Sequence, residues 1–354
     1  MRTQAEARGE IEHSRTRSPR VTIFVPTYNR AQWLGNAIQS ALLQTYEDFV
    51  LVVSDNCSTD ATRQVVETFD DPRLVYLRQE EHLGLNEHFN RCYELAETEY
   101  MFLIPDDDVM AIDAVERAIV VLDANPSVGL VHGCARLVDG SGATIADAHE
   151  MTQLDRDEIE PGQVFIRRAV DHGYRVHAST ALIRTTALAD VSLRDDEFPV
   201  TDVGLWLRLA LRWDIAFLAH TLAIVRVHSG AYTADGRGVT TGGYVQQLDV
   251  IEKLAEVKLR FVDEYEGRLS DADGLRRLAR RARRRDLLEF AGHSTIPERR
   301  FLATVGVLAK LGRLDPTIFA DARAWRLLGA SMLGRRAVER IKGRNSDPVG
   351  RVAA

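Results

Sequence analysis

Three consecutive carboxylates, Asp106, Asp107 and Asp108, stand directly behind the apolar run Phe102, Leu103, Ile104 and Pro105. A buried strand ending in such a cluster gathers several negative charges at one tip. There they repel one another and need relief from water, protonation or a cation. Oxygen-only ligands suit Mg2+ or Mn2+ and, with them, the phosphates of a nucleotide. The competing reading is a solvated acidic turn that holds nothing. Further groups with chemical capacity also follow apolar runs. In the loop Pro26, Thr27, Tyr28, Asn29, Arg30, the Tyr28 ring can pack against a base and the Arg30 guanidinium can reach phosphate oxygens. Asp55 and Arg78 come after two more such runs, Asp202 opens an amphipathic stretch, and His228 closes a long apolar one.

The elements that position these groups are read from periodicity. Runs rich in β-branched residues predict strands over 21–25, 49–53, 74–77 and 100–104. Helical spacing follows each of them, over 31–44, 61–69, 86–97 and 113–122. Strand and helix thus alternate from 21 to about 122, the signature of a parallel sheet with helices on both faces. In such sheets ligands lie beyond the carboxyl ends of the strands, where the loops of Tyr28, Asp55, Arg78 and Asp106 all fall. Further strands are predicted over 128–138, 176–184 and 215–227. A loop covers 190–201, and a helix covers 202–211 with Leu205, Trp206 and Leu209 inward. Residues 145–175 are polar without a clear period. From 243 to 290 and from 296 to 342 the spacing is helical.

An apolar fraction of 45% and a charged fraction of 27% are those of a soluble globular protein. The net charge of -7 hides an asymmetry, because residues 275–354 hold 19 Lys and Arg against 7 Asp and Glu. An acidic front speaks against nucleic acid as its partner. The basic tail reads either as a solvated face on helices that pack against the front or a second copy of the chain, or as a peripheral contact with an anionic membrane. Cys57, Cys92 and Cys134 are widely spaced and odd in number, so neither a disulfide framework nor a zinc site is indicated. With no signal-peptide core and no run of about 18 apolar residues, a cytoplasmic chain is expected, at most peripheral at the inner membrane face. Residues 1–20 are expected to be a disordered leader, 21–240 an α/β domain, and 241–354 a helical region with a basic face.

Taken in order, strand–Pro26-Thr27-Tyr28-Asn29-Arg30, strand–Asp55-Asn56-x-Ser58-Thr59-Asp60 and strand–Asp106-Asp107-Asp108 resemble the family 2 glycosyltransferases. The resemblance covers roughly residues 20–230. It implies the GT-A fold, Rossmann-like with a mostly parallel central sheet and helices on both faces. It also implies a nucleoside-diphosphate-sugar donor, a divalent cation (Mn2+ or Mg2+) and transfer with inversion to an acceptor hydroxyl, as in polysaccharide, glycolipid or secondary-metabolite glycosylation.

By the same resemblance, Pro26, Thr27, Tyr28, Arg30, Asp55, Arg78 and Asp106 bind the nucleotide sugar. Asp55 is the base-recognising aspartate, which favours a UDP or dTDP sugar, although Asn56 replaces a second acid common in the family. Asp107, Asp108 and His228 hold the metal, with Pro105 standing where a carboxylate is usual. Asp202 matches the catalytic base, with Thr201 replacing the usual Glu; an alternative role for Asp202 is to cap its helix. His177 and Trp206 fall in the acceptor region.

Two other classes compete with this reading. A dinucleotide-binding oxidoreductase needs a Gly-x-Gly-x-x-Gly turn after the first strand, and that turn here is Pro26, Thr27, Tyr28, Asn29, Arg30. A non-catalytic GT-A-like nucleotide-sugar binding module is the alternative reading, and would be expected to lose the acidic cluster or the base.

Overall fold

The computed structural model describes residues 19–147, 154–172, 176–228, 239–240, 243–244, 248–295, 301–314 and 316–333. The expected leader lies outside them except for its last two residues. Of these, Arg20 is tied down by salt bridges of 2.7 Å each to Glu99 and Asp123.

In chain order the elements are β1 (Val21–Thr27), α1 (Ala31–Leu42), β2 (Phe49–Asp55), α2 (Thr62–Val66), β3 (Leu74–Arg78), α3 (Leu85–Leu95), β4 (Tyr100–Leu103), β5 (Val109–Met110), α4 (Ala114–Ala124) and β6 (Val128–Asp139). After these come β7 (Thr144–Asp147), β8 (Glu158–Glu160), α5 (Gly162–His172), β9 (Leu182–Arg184), α6 (Thr201–Leu209), β10 (Asp214–Val227), α7 (Leu248–Glu264), α8 (Ala272–Thr295), α9 (Phe301–Leu314) and α10 (Ala322–Leu333).

The strands lie side by side in the order β3-β2-β1-β4-β9-β6-β10-β5. The first four run parallel, as the alternation predicts. Beyond them β9 inserts antiparallel between β4 and β6, while β6 and β10 run parallel to each other. The β-branched run of β1 is buried along its whole length because both faces of the sheet are covered. Val21, Ile23 and Val25 meet α1 and α4 on one face, whereas Phe24 joins residues of α3, α5 and α6 on the other. Leu254, Val257 and Phe261 of α7, together with Leu275 and Ala279 of α8, pack into that second core. The end of α8 forms a smaller core of its own with α9 and α10, around Leu287, Leu308 and Leu311.

The structure departs from expectation in three places. Pro26 and Thr27 belong to β1 rather than to the loop, and near the strand end Pro26 forgoes only one ladder hydrogen bond. Residues 145–175 contain α5, whose buried stripe of Phe165, Ile166, Ala169 and Val170 is too short to show in so polar a window. Part of 176–184 is a 3-10 turn, Ala178–Thr180, and only Leu182–Arg184 pairs as a strand.

Three of the seven arginines of α8 are committed within the chain. Arg276 pairs with Asp263, Glu266 and Asp273, Arg283 with Glu252, and Arg285 with Asp171. Among the described residues no helix is long and apolar enough to cross a membrane.

Candidate active site at the carboxyl ends of the strands

Strand register sets the site's first row. Thr27 pairs with Asp55 and Asp55 with Arg78, so the ends of β1, β2 and β3 present these three residues side by side. Asn29 locks the first two loops together. It adopts a left-handed backbone (φ 53°), which Asn tolerates better than most residues, and its Oδ1 accepts from Thr59 N at 2.7 Å. Asp55 is buried. Its Oδ1 accepts from Ser58 N at 2.9 Å, its Oδ2 accepts from Tyr76 Oη at 2.6 Å, and Arg78 Nε lies 3.5 Å from that same Oδ2. The Asn56 side chain is committed to both backbone groups of Leu83, accepting from its N–H and donating to its carbonyl. Tyr28, 43% exposed, lies ring to ring with His82 at a centroid distance of 4.3 Å.

The acidic triplet fills the turn between β4 and β5. Because β5 pairs antiparallel with β10, the end of β10 passes beside the triplet. This brings together residues about 120 positions apart, as His228 Nε2 lies 3.0 Å from Asp107 Oδ2. Arg30 Nη1 lies 2.6 Å from the same oxygen and 3.2 Å from His228 Nε2, with Arg30 Nε 3.9 Å from Asp106 Oδ1. Trp33 backs this group, its ring 4.0 Å from that of His228. Asp106 is buried and accepts from Tyr28 N at 3.4 Å. Burial first, and then the charge of Asp107, push its carboxyl up to about 7.

Asp108 points elsewhere. It accepts from Ser179 Oγ at 2.5 Å and from Arg226 N at 2.9 Å, and burial followed by the Asp107 charge raises it as well. The structure therefore joins Asp107 with His228 but turns Asp108 away from them, because both of its oxygens are held by neighbouring elements. By sequence Ser179 falls in the acceptor segment that begins at His177, and its bond to Asp108 is not legible there. His177 is half-buried, and its imidazole is pushed down to about 4 by burial against the opposing charge of Asp107.

Asp202 lies in the first turn of α6 and is not its cap, since the N-cap position is Val200. Its Oδ1 accepts from Val203 N at 2.9 Å, and burial pushes the carboxyl up to about 7. Trp206, expected in the acceptor region, is instead 4% exposed and packed in the main core.

An alternating sheet with charged loops gathered at its carboxyl edge is the architecture of GT-A glycosyltransferases, and solved structures bear this out. The structure of Staphylococcus aureus TarS 1–349 in complex with UDP-GlcNAc superimposes with a TM-score of 0.54 over 92% of both chains at 18% identity. TarS 1–349 alone gives 0.55 at 16% identity. Residues 22–181 match the family model Glycosyl transferase family 2, and together with relatives named as glycosyltransferases this makes the chain a glycosyltransferase. An uncharacterized glycosyltransferase of Rickettsia typhi is 24% identical over 68% of this chain and 71% of its own length. An uncharacterized protein of Mycobacterium tuberculosis is 28% identical over 60% and 68%.

Proposed function

We propose that this chain transfers a sugar from a nucleoside-diphosphate donor to an acceptor hydroxyl with inversion, using a divalent cation beside Asp107 and Asp202 as the general base. The observation that carries the reading is the convergence of Asp107 and His228, 3.0 Å apart, on the Arg30 guanidinium at the carboxyl edge of the sheet. A carboxylate oxygen and an imidazole nitrogen aimed at one point fit a divalent cation, as does the neighbouring Asp106 carboxyl, held above its usual range.

Among the described residues there is no group of three or more His, Cys, Asp or Glu side chains that could hold a metal ion by themselves. Mg2+ and Mn2+ can be held by one or two protein ligands, with water and substrate phosphates completing the shell. Asp107 and His228 would hold the ion, and Asp108, already bonded through both oxygens, anchors the turn. When bound, such an ion neutralises charge on the departing diphosphate.

The other roles belong to the chain's own groups. Arg30 and Arg78 reach phosphate oxygens, and Tyr28 with His82 offers a ring surface to the base. Asp55 favours a uracil or thymine imide, which gains access as the exposed Arg78 turns aside. S. aureus TarS, of similar fold, holds UDP-GlcNAc. Asp202 takes the proton of the attacking hydroxyl. A carboxylate whose pKa has been raised to about 7 is a stronger base than an ordinary one and is about half ionised at neutrality.

A thermal-shift screen of UDP, dTDP, GDP and ADP with Mn2+ tests the reading. A pyrimidine diphosphate should raise Tm only with Mn2+, and the shift should vanish in Asp107→Ala. A shift that is unchanged in EDTA, or no shift with any diphosphate, contradicts it.

A further inference from the structure

Segment 190–200 leads into the helix that carries Asp202 with almost no regular structure of its own, only the 3-10 turn Asp195–Glu197. It is gripped from two sides. From α3, Asn90 accepts from Leu193 N at 2.8 Å and donates to Leu193 O at 3.0 Å, and Asn86 Nδ2 donates to Asp195 Oδ1 at 2.8 Å. From α7, Arg260 Nη1 bonds Asp196 Oδ2 at 2.5 Å, and Glu264 takes two bonds from Arg194 at 2.7 and 2.9 Å.

Between them lies Glu197, 2% exposed. Arg208 of α6 holds both its oxygens, at 2.6 and 3.0 Å, and also donates to Ser192 O at 2.8 Å. Arg260 Nη2 stands 3.4 Å from Glu197 Oε1. The carboxylate is seated against Gly204, where an added Cβ would come within 2.1 Å of Oε2. Val200 N closes the frame by donating to Glu197 O at 2.9 Å. Helix α6, which carries Asp202 in its first turn, thus meets Glu197 at its start (Val200), its middle (Gly204) and its far end (Arg208).

We propose that Glu197 is a positioning residue for Asp202, locked by Arg208 and braced by Arg260, so that α7, which lies beyond the family match, helps to aim the catalytic base. The inference rests on the transferase reading given above. A planar two-bond fork fixes direction as well as distance, which a single contact does not. Misplacing a reacting group by about 1 Å costs on the order of 100-fold in rate.

The test measures Tm, KM for the donor and kcat for nucleoside diphosphate release from UDP-glucose, UDP-GlcNAc and dTDP-glucose. Glu197→Gln and Arg208→Lys should lower kcat by about tenfold or more while KM stays within about twofold. The paired variant Glu197→Met/Arg208→Met separates aiming from stability, because an apolar pair often replaces a buried ion pair without loss of stability. It should recover Tm but not kcat. Arg260→Gln, on the outer side of the network, should fold normally and lower kcat to a smaller extent.

Recovery of kcat together with Tm in the paired variant, or wild-type kcat in Glu197→Gln and Arg260→Gln, overturns the inference. Asp202→Asn run in parallel keeps the two readings apart. If it retains full turnover, the base assignment fails, and if it abolishes turnover while Glu197→Gln is normal, only the positioning role fails. A wild-type chain that turns over none of the three donors overturns the donor reading and this inference with it.

Discussion

Arg30 and Asp107 meet at 2.6 Å, and His228 approaches both of them, so a guanidinium nitrogen holds the point on which a carboxylate and an imidazole converge. In this arrangement Arg30 supplies the positive charge that the buried acidic turn requires. A divalent ion bound as proposed would compete with Arg30 for Asp107, and a bound diphosphate would give the displaced guanidinium a new partner. Cation and donor should therefore bind with positive coupling.

Arg30→Gln is expected to tighten Mn2+ binding by the donor-free chain by about tenfold, one released ion pair being worth on the order of 1–2 kcal/mol at a partly buried site. The same change should weaken binding of the nucleoside diphosphate. Titration of free Mn2+ by electron paramagnetic resonance reads the first effect and calorimetry the second. Unchanged or weaker Mn2+ binding would show that Arg30 does not compete for the site.

Asp202 links function to stability. Its carboxyl moves from the ordinary 3.8 in the unfolded chain to about 7 in the fold, so the folded state holds a proton that the unfolded state has released between those values. Stability from this group is therefore full below about pH 4 and declines as pH rises towards 7. Asp202→Asn, which cannot ionise, should raise Tm at pH 8 and leave it almost unchanged at pH 4. A three-unit shift corresponds to about 4 kcal/mol, and because the side chain is only half-buried about 2 kcal/mol is the expected gain. An equal Tm difference at both pH values would contradict the burial of this carboxyl.

Gly204 has no room for a side chain, since a Cβ there meets the buried Glu197 carboxylate. Gly204→Ala should cost about 3 kcal/mol or more in denaturant unfolding, despite the better helix propensity of Ala, because it disturbs a buried ion pair. Gly35, whose added Cβ finds its nearest neighbour at an ordinary 3.7 Å, is the control: Gly35→Ala should be neutral or stabilising. A neutral Gly204→Ala would mean that Glu197 has another place to go.

The first half of the fold was legible because β1 to β4 are continuous apolar runs with polar loops at one end, and a parallel sheet places all those ends together. Thus the row Thr27, Asp55 and Arg78 follows from strand order alone. The split within the triplet was not legible. Nothing in three adjacent aspartates says that Asp107 turns to His228 while Asp108 turns to Ser179, because both partners arrive through β10 and a 3-10 turn more than 70 residues later. Helix α5 was hidden by its short stripe. The role of α7 was hidden as well, since its contacts with Arg194 and Asp196 are long-range pairs of ordinary surface residues.

The central claim concerns Asp202, and turnover in its amide variant tests it most directly. Nucleoside diphosphate release with Mn2+ should fall by about a thousandfold or more in Asp202→Asn, the scale of a lost general base, while donor binding stays as in the wild type. Full activity in Asp202→Asn would contradict the account.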